Sequence, residues 1–124
     1  MAKINKPILA AAPGHSYNSG LGVLSACSLP AISHNTRVAY NECTFGFVPH
    51  AGTTFYASRM LGDFGTFMVL TGTSIHGKDA INVGIAELLI DQPETYDEDV
   101  IDIITNISPG TLPGSREVHD ARGF

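Results

Sequence analysis

Glu42 and His50 carry a carboxylate and an imidazole, and could form an acid/base pair if their side chains meet. Histidine exchanges protons near neutral pH. Each also has a plainer reading. Glu42 can be a carboxylate bound to nearby backbone. His50, in Phe47-Val-Pro-His-Ala-Gly, can be a loop histidine without a chemical task. A third point of interest is Asn18-Ser19-Gly20, just ahead of a small, apolar, helix-forming run. The first N–H groups of a helix have no partner within it and can bind an acceptor from outside. The plain reading here is that Asn18 and Ser19 simply cap the helix.

Other chemistries find less support. The five histidines stand at 15, 34, 50, 76 and 119, with no HxxxH or HxH spacing, so no metal site is expected. Gly14-His15-Ser16 does not make the GxSxG elbow of serine hydrolases, and no GxxxxGK[ST] phosphate loop is present. Cys27 and Cys43 lack a CxxC pattern and read as free, buried or partly buried thiols of a reducing compartment.

The elements that would position these residues alternate. Pro7 to Ala12 is a short, continuously apolar run, the pattern of a strand covered on both faces, and Pro13-Gly14 breaks it. His15 to Asn18 reads as a polar turn and Gly20 to Cys27 as a helix packed close to its neighbours. Ala31 to His34 and Arg37 to Tyr40 read as strands around a turn at Asn35. Pro49 and Gly52 bracket a further turn, and Thr53 or Thr54 can cap a helix running to Leu61. A second helix covers Phe64 to Leu70, a turn element begins at Ile75, and a short helix covers Lys78 to Val83, with Gly84 at the C′ position. Ile85 to Ile90 is strand-like. The order predicts an α/β layering over residues 1–91. Residues 92–124 form a divergent tail. In it Val100, Ile101, Ile103, Ile104 and Ile107 mark one face of an amphipathic helix over about 97–106, with an acidic start and an extended C-terminus after it.

The totals set bounds. A chain of 124 residues with 44% hydrophobic residues can bury the core of one domain. Charged residues make up 15%, against roughly 25% for an ordinary soluble domain, so much of the surface is expected to face other protein. A net charge of −5 and the absence of a Lys/Arg cluster argue against nucleic acid as a partner. The apolar run near the N-terminus is too short to span a membrane.

Three stretches carry a resemblance: KPILAAAPGHSYNSGLGVLSACS, VAYNECTFGFVPHAGTTFYASRMLG and VLTGTSIHGKDAINVGIAELLID. Together they resemble the central portion of the crotonase superfamily, in its 3-hydroxyisobutyryl-CoA hydrolase branch. The resemblance implies a partial crotonase (ClpP/crotonase-like) α/β fold that is incomplete without partner chains. It aligns Asn18-Ser19-Gly20 with the Gly-Gly-Gly turn whose backbone holds a coenzyme A thioester, and gives the Ser19 N–H the place of an oxyanion donor, beside Gly20. It implies that Glu42 is a catalytic carboxylate, with Asn41 where the family has proline. It sets His50 where the hydrolase branch has an aspartate, its second acid/base group. Gly22 matches the hydrolase branch, where hydratases carry a glutamate, so hydration of an enoyl thioester is not the expected chemistry. Gly46, Pro49, Ala51-Gly52, Arg59, Leu61-Gly62 and Gly84 fit the family pattern as turns and packing positions.

The family's upstream portion, with the second oxyanion donor and most coenzyme A contacts, has no counterpart in these residues. Two functions follow from the resemblance. The first is a non-catalytic structural subunit of a large mitochondrial assembly, the small subunit of the mitochondrial ribosome being one case. It needs no cofactor and has other protein chains of the complex as partners. The alternative is one chain of a split acyl-CoA thioester hydrolase, with a companion chain supplying the missing half and coenzyme A thioester as substrate. Both place the protein in the mitochondrial matrix.

Overall fold

A computed structural model describes residues 8–90 and 95–106. Pro7, Ile107 and the C-terminal tail, on which parts of the expected first strand, helix face and extended end fall, lie outside the described residues. The elements are β1 (Leu9–Ala12), β2 (His15–Tyr17), α1 (Ser19–Ala26), β3 (Leu29–Ser33), β4 (Arg37–Ala39), a 3-10 turn (Cys43–Phe45), α2 (Thr53–Ala57), α3 (Phe64–Thr71), β5 (Ile75–His76), α4 (Gly77–Asn82), β6 (Leu88–Ile90) and α5 (Tyr96–Asn106). This is the α/β alternation that the sequence predicts.

The strands form two three-stranded sheets, ordered β1-β3-β6 and β2-β4-β5. The first is wholly parallel, with Leu9 opposite Leu29 and Ala31 opposite Leu88. Its middle strand β3 is buried at every residue, as a parallel strand covered on both faces should be. That pattern was expected of the first strand. Among the described residues β1 instead pairs only with β3 and is half-buried, with Ala11 exposed.

His15 to Tyr17, expected as a turn, is a strand. It pairs in parallel with β4, Ser16 opposite Val38, and only Ser16 is buried. Three polar residues carry no strand signal of their own; pairing with an apolar neighbour decides the conformation. The β1–β2 and β3–β4 turns are tied together. Thr36 donates its hydroxyl to the Ala12 carbonyl at 2.5 Å, and Ser33 donates to Pro13 at 2.8 Å.

The core lies between the sheets and the helices. Leu21 and Leu24 of α1, Val38 and Tyr40 at β4, Met68 of α3 and Ile85 meet there. Helix α2 ends at Ala57, short of the expected Leu61, because α3 crosses it closely with Gly65 against the Ala57 backbone. Helix α5 starts with Asp97, Glu98 and Asp99 in its first turn, as expected. Its inward stripe is the buried Tyr96 with the half-buried Val100 and Ile103, packed on Ala31 and Ile90, and the Tyr96 hydroxyl donates to the Ala31 carbonyl at 3.0 Å. Ile101 and Ile104, expected on that face, are about 60% exposed. The tyrosine sets the helix rotation, because its hydroxyl has a buried carbonyl to satisfy. Phe45, Phe47, Val48, Leu61 and Leu70 are also exposed. No helix among the described residues is long and apolar enough to cross a membrane.

Candidate active site

Strand β2 delivers the chain to Asn18, which turns it into α1 with φ 52° and ψ −117°. A side chain bearing a Cβ rarely adopts a positive φ, and such residues persist only where the surroundings hold them. Two hydrogen bonds hold this one. The Asn18 N–H donates to the Ala39 carbonyl at 3.0 Å, and the Asn41 N–H donates to Asn18 Oδ1 at 2.6 Å. The side chain of Asn18 therefore does not cap α1, contrary to the plain reading, and no other side chain does. The first bond inside the helix runs from the Gly22 N–H to the Asn18 carbonyl. The Ser19 and Gly20 N–H groups stand ahead of it at the open helix start, and both residues are exposed. The Asn18–Asn41 bond uses an N–H that a proline at 41 would lack and a side chain that a glycine at 18 would lack. The two asparagines therefore complement each other.

Glu42 follows β4 and is 2% exposed. Among the described residues neither of its carboxylate oxygens has a hydrogen-bond partner. The reading of Glu42 as a carboxylate bound to nearby backbone is thus corrected; its own carbonyl, not its side chain, receives the Phe45 and Phe47 N–H groups. The polar group facing the carboxylate is the His50 ring, with Nδ1 3.5 Å from Oε1.

His50 stands on the turn before α2. Its carbonyl accepts from the Thr53 N–H at 3.1 Å and the Thr53 hydroxyl at 2.8 Å. The next residue, Ala51, has φ 54° and rests on α1 at Gly22, where a Cβ would come within 2.7 Å of the Ala51 carbonyl oxygen. Only glycine lets helix and turn approach this closely. The approach brings His50 Nε2 to 2.6 Å from Ser19 Oγ. The imidazole, itself 59% exposed, thus bridges a buried carboxylate and an exposed hydroxyl. The sequence pointed to Ser19 for its N–H alone; the hydroxyl was missed, and no local pattern marks it.

Beside the site lies an open apolar groove of about 350 Å³, lined by Gly22, Val23, Ala51, Gly52, Phe55 and Tyr56 among others. It too was missed, although the small residues at 22, 51 and 52 that make room for it were visible.

Tyr40 packs behind Glu42. Its hydroxyl is buried without a hydrogen bond. Burial above all, and then the charge of Glu42, push its phenol up to about 12 from 10.0. Because the folded-state value is the higher one, folding holds a proton that the unfolded chain releases first. The contribution of Tyr40 to stability is then fully present below about pH 10 and is lost as pH rises toward about 12. Tyr40→Phe is expected to remove roughly 2–3 kcal/mol of that alkaline loss. At pH 7 it should cost at most about 1 kcal/mol, the worth of a marginal contact with the Ser25 hydroxyl. Urea unfolding at pH 8 and pH 11.5 measures both.

Comparison with known proteins decides the family. Residues 1–108 match the model described as "Enoyl-CoA hydratase/isomerase". The chain belongs to this family, the crotonases. Its relatives in the family include a carnitinyl-CoA dehydratase of Proteus mirabilis, 26% identical over 95% of this chain and 46% of the relative. The mitochondrial 3-hydroxyisobutyryl-CoA hydrolase of Danio rerio is 27% identical over 79% of this chain and 26% of the relative. The small ribosomal subunit protein mS47 of Arabidopsis thaliana is 32% identical over 65% of this chain and 20% of the relative. Among solved structures, an enoyl-CoA hydratase subunit from Geobacillus kaustophilus superposes with a TM-score of 0.78 at 22% identity, over 84% of this chain and 40% of that one. This crotonase chain therefore spans half or less of the length of the relatives it matches, and its fold is the corresponding part of theirs.

Proposed function

We propose that this chain carries the proton-transfer residues of an acyl-CoA thioester hydrolase of the 3-hydroxyisobutyryl-CoA hydrolase type. The remaining family portions, which complete the coenzyme A site, would come from outside these residues. The observation that carries the reading is the His50 ring, held between the buried Glu42 carboxylate and the start of α1. A thioester carbonyl placed at the Ser19 and Gly20 N–H groups would have its developing negative charge stabilised there. His50, backed by Glu42, would take the proton of the attacking group and return it to the leaving sulfur. The adjacent apolar groove suits an aliphatic acyl group.

The test is thiol release from short-chain acyl-CoA by the chain together with whatever protein co-purifies with it. Glu42→Gln should lower turnover by about 100-fold or more, and Glu42→Asp should restore part of it. Turnover that ignores both substitutions would refute the reading.

A second reading, a structural subunit of a large mitochondrial assembly such as the ribosomal small subunit, has its own support. The likeness to mS47 favours it, as do the exposed Phe45, Phe47, Val48, Leu61 and Leu70, which other protein would cover. It predicts co-purification with ribosomal proteins and no thiol release. Under both readings a mitochondrial location is part of the proposal.

A further inference from the structure

We infer that Ser19 is a nucleophile and that, within the hydrolase reading proposed above, hydrolysis runs through a covalent acyl-serine at this residue. The carboxylate and imidazole would then serve a hydroxyl of the chain, and water would attack only in the second half of the reaction.

Four observations converge. Ser19 Oγ is 2.6 Å from His50 Nε2, within the range of a formed hydrogen bond. The other ring nitrogen, Nδ1, faces Glu42 Oε1 at 3.5 Å, so the ring has a carboxylate behind it and a hydroxyl in front. That carboxylate is 2% exposed and has no hydrogen-bond partner among the described residues, so its oxygens face an imidazolium forming beside it without competition. Ser19 also opens α1 directly after a backbone outlier, on a strand, sharp turn and helix start that lifts its side chain into solvent. Hydroxyl, imidazole and carboxylate in this order make the constellation that activates serine on unrelated folds, recognised by geometry and not by position in the chain.

The steps balance. Oγ–H gives its proton to Nε2 as Oγ bonds to the thioester carbonyl carbon, whose oxygen becomes anionic near the Ser19 and Gly20 N–H groups. The C–S bond breaks, and the thiolate takes the proton from Nε2 and leaves as a free thiol. Water then gives a proton to Nε2 while its oxygen bonds to the acyl carbon. The ester C–O bond breaks, Oγ recovers the proton from Nε2, and the carboxylic acid departs. Glu42 touches neither reactant; it is a positioning residue, standing 3.5 Å behind the ring.

The test treats the chain with a fluorophosphonate, which phosphonylates activated serines, followed by peptide mass spectrometry. Thiol release from a short-chain acyl-CoA is measured in parallel. The expected result is one adduct at Ser19, absent in Ser19→Ala and at least 100-fold slower to form in His50→Ala. Glu42→Gln should slow labelling and change its pH profile, and Glu42→Asp should restore part of the rate; a purely structural carboxylate would leave the profile of the folded protein unmoved. Circular dichroism confirms that the variants fold. Acid quenching during turnover should trap the acyl group on Ser19. No adduct, or thioester turnover unchanged in Ser19→Ala, overturns the nucleophile while leaving a Glu42–His50 hydrolase standing. An adduct without thioester turnover upholds the nucleophile and overturns the thioester reading.

Discussion

His50→Ala is expected to lower thioester hydrolysis by about 1,000-fold while leaving the folded protein nearly as stable as before. The two halves of this prediction have separate grounds. The ring is 59% exposed, and the turn that carries it is anchored through backbone, by the His50 carbonyl to Thr53 and by Ala51 on Gly22, so little packing is lost. In the proposed chemistry the ring has no substitute, because among the described residues it is the group that meets both Ser19 and Glu42. Removing a positioned acid/base typically costs 100- to 10,000-fold. His50→Gln should be almost as damaging, since an amide keeps the hydrogen bond to Ser19 but cannot carry a proton. His50→Asp, the residue that the resemblance to the hydrolase branch implies here, should not rescue: its shorter side chain cannot span Ser19 and Glu42 together, and it would set two carboxyl groups side by side. Steady-state thiol release and thermal unfolding of the three variants separate the chemical effect from the structural one.

Gly65→Ala is expected to be the most destabilising glycine-to-alanine change among the described residues. A Cβ at this position would run into the backbone of Ala57, and backbone, unlike a flexible side-chain end, cannot step aside. Overpacking of this kind costs about 1–3 kcal/mol or more. For a domain of this size that corresponds to a melting point lower by roughly 5–15 °C. The damage reaches the site. Ala57 ends α2, the helix that starts at Thr53, and Thr53 holds the His50 carbonyl. Activity should therefore fall further than the folded fraction does. Gly14→Ala is the control, because a Cβ there meets nothing within 4 Å and should shift the melting point little. Thermal unfolding monitored by circular dichroism, with thiol release measured at a temperature where both variants are folded, checks the pair.

Much of this architecture is written in local pattern. The apolar runs of β1 and β3, the helix of small residues at α1, the span of α3, and the short helix α4 with Gly84 beyond it can all be read from periodicity and turn residues. Each depends on residues close in sequence. The pieces that escape are those fixed at long range. β2 is three polar residues made into a strand by β4, and the rotation of α5 follows the Tyr96 hydroxyl seeking the Ala31 carbonyl. The site divides in the same way. Glu42, His50, Ser19 and Gly20 stand out one at a time by residue type and family register. Their separations do not, because these are set by the Gly22–Ala51 contact and the Asn18–Asn41 hydrogen bond, neither of which has a sequence signature. Judged singly, the departures at Asn18, Ser19, Asn41 and His50 look like losses. In three dimensions Asn18 bonds to Asn41 and Ser19 to His50.

That pairing is the central claim, and a double-mutant comparison of acyl-CoA turnover tests it most directly. Ser19→Ala, His50→Ala and the double variant are measured under one set of conditions. If the hydroxyl and the ring act as one unit, the double variant is no slower than the slower single variant, as for groups that share a step. Losses that multiply, each substitution costing the same whether or not the other is present, would mean that the two side chains work independently, and the account of a joined Ser19–His50–Glu42 site would be wrong.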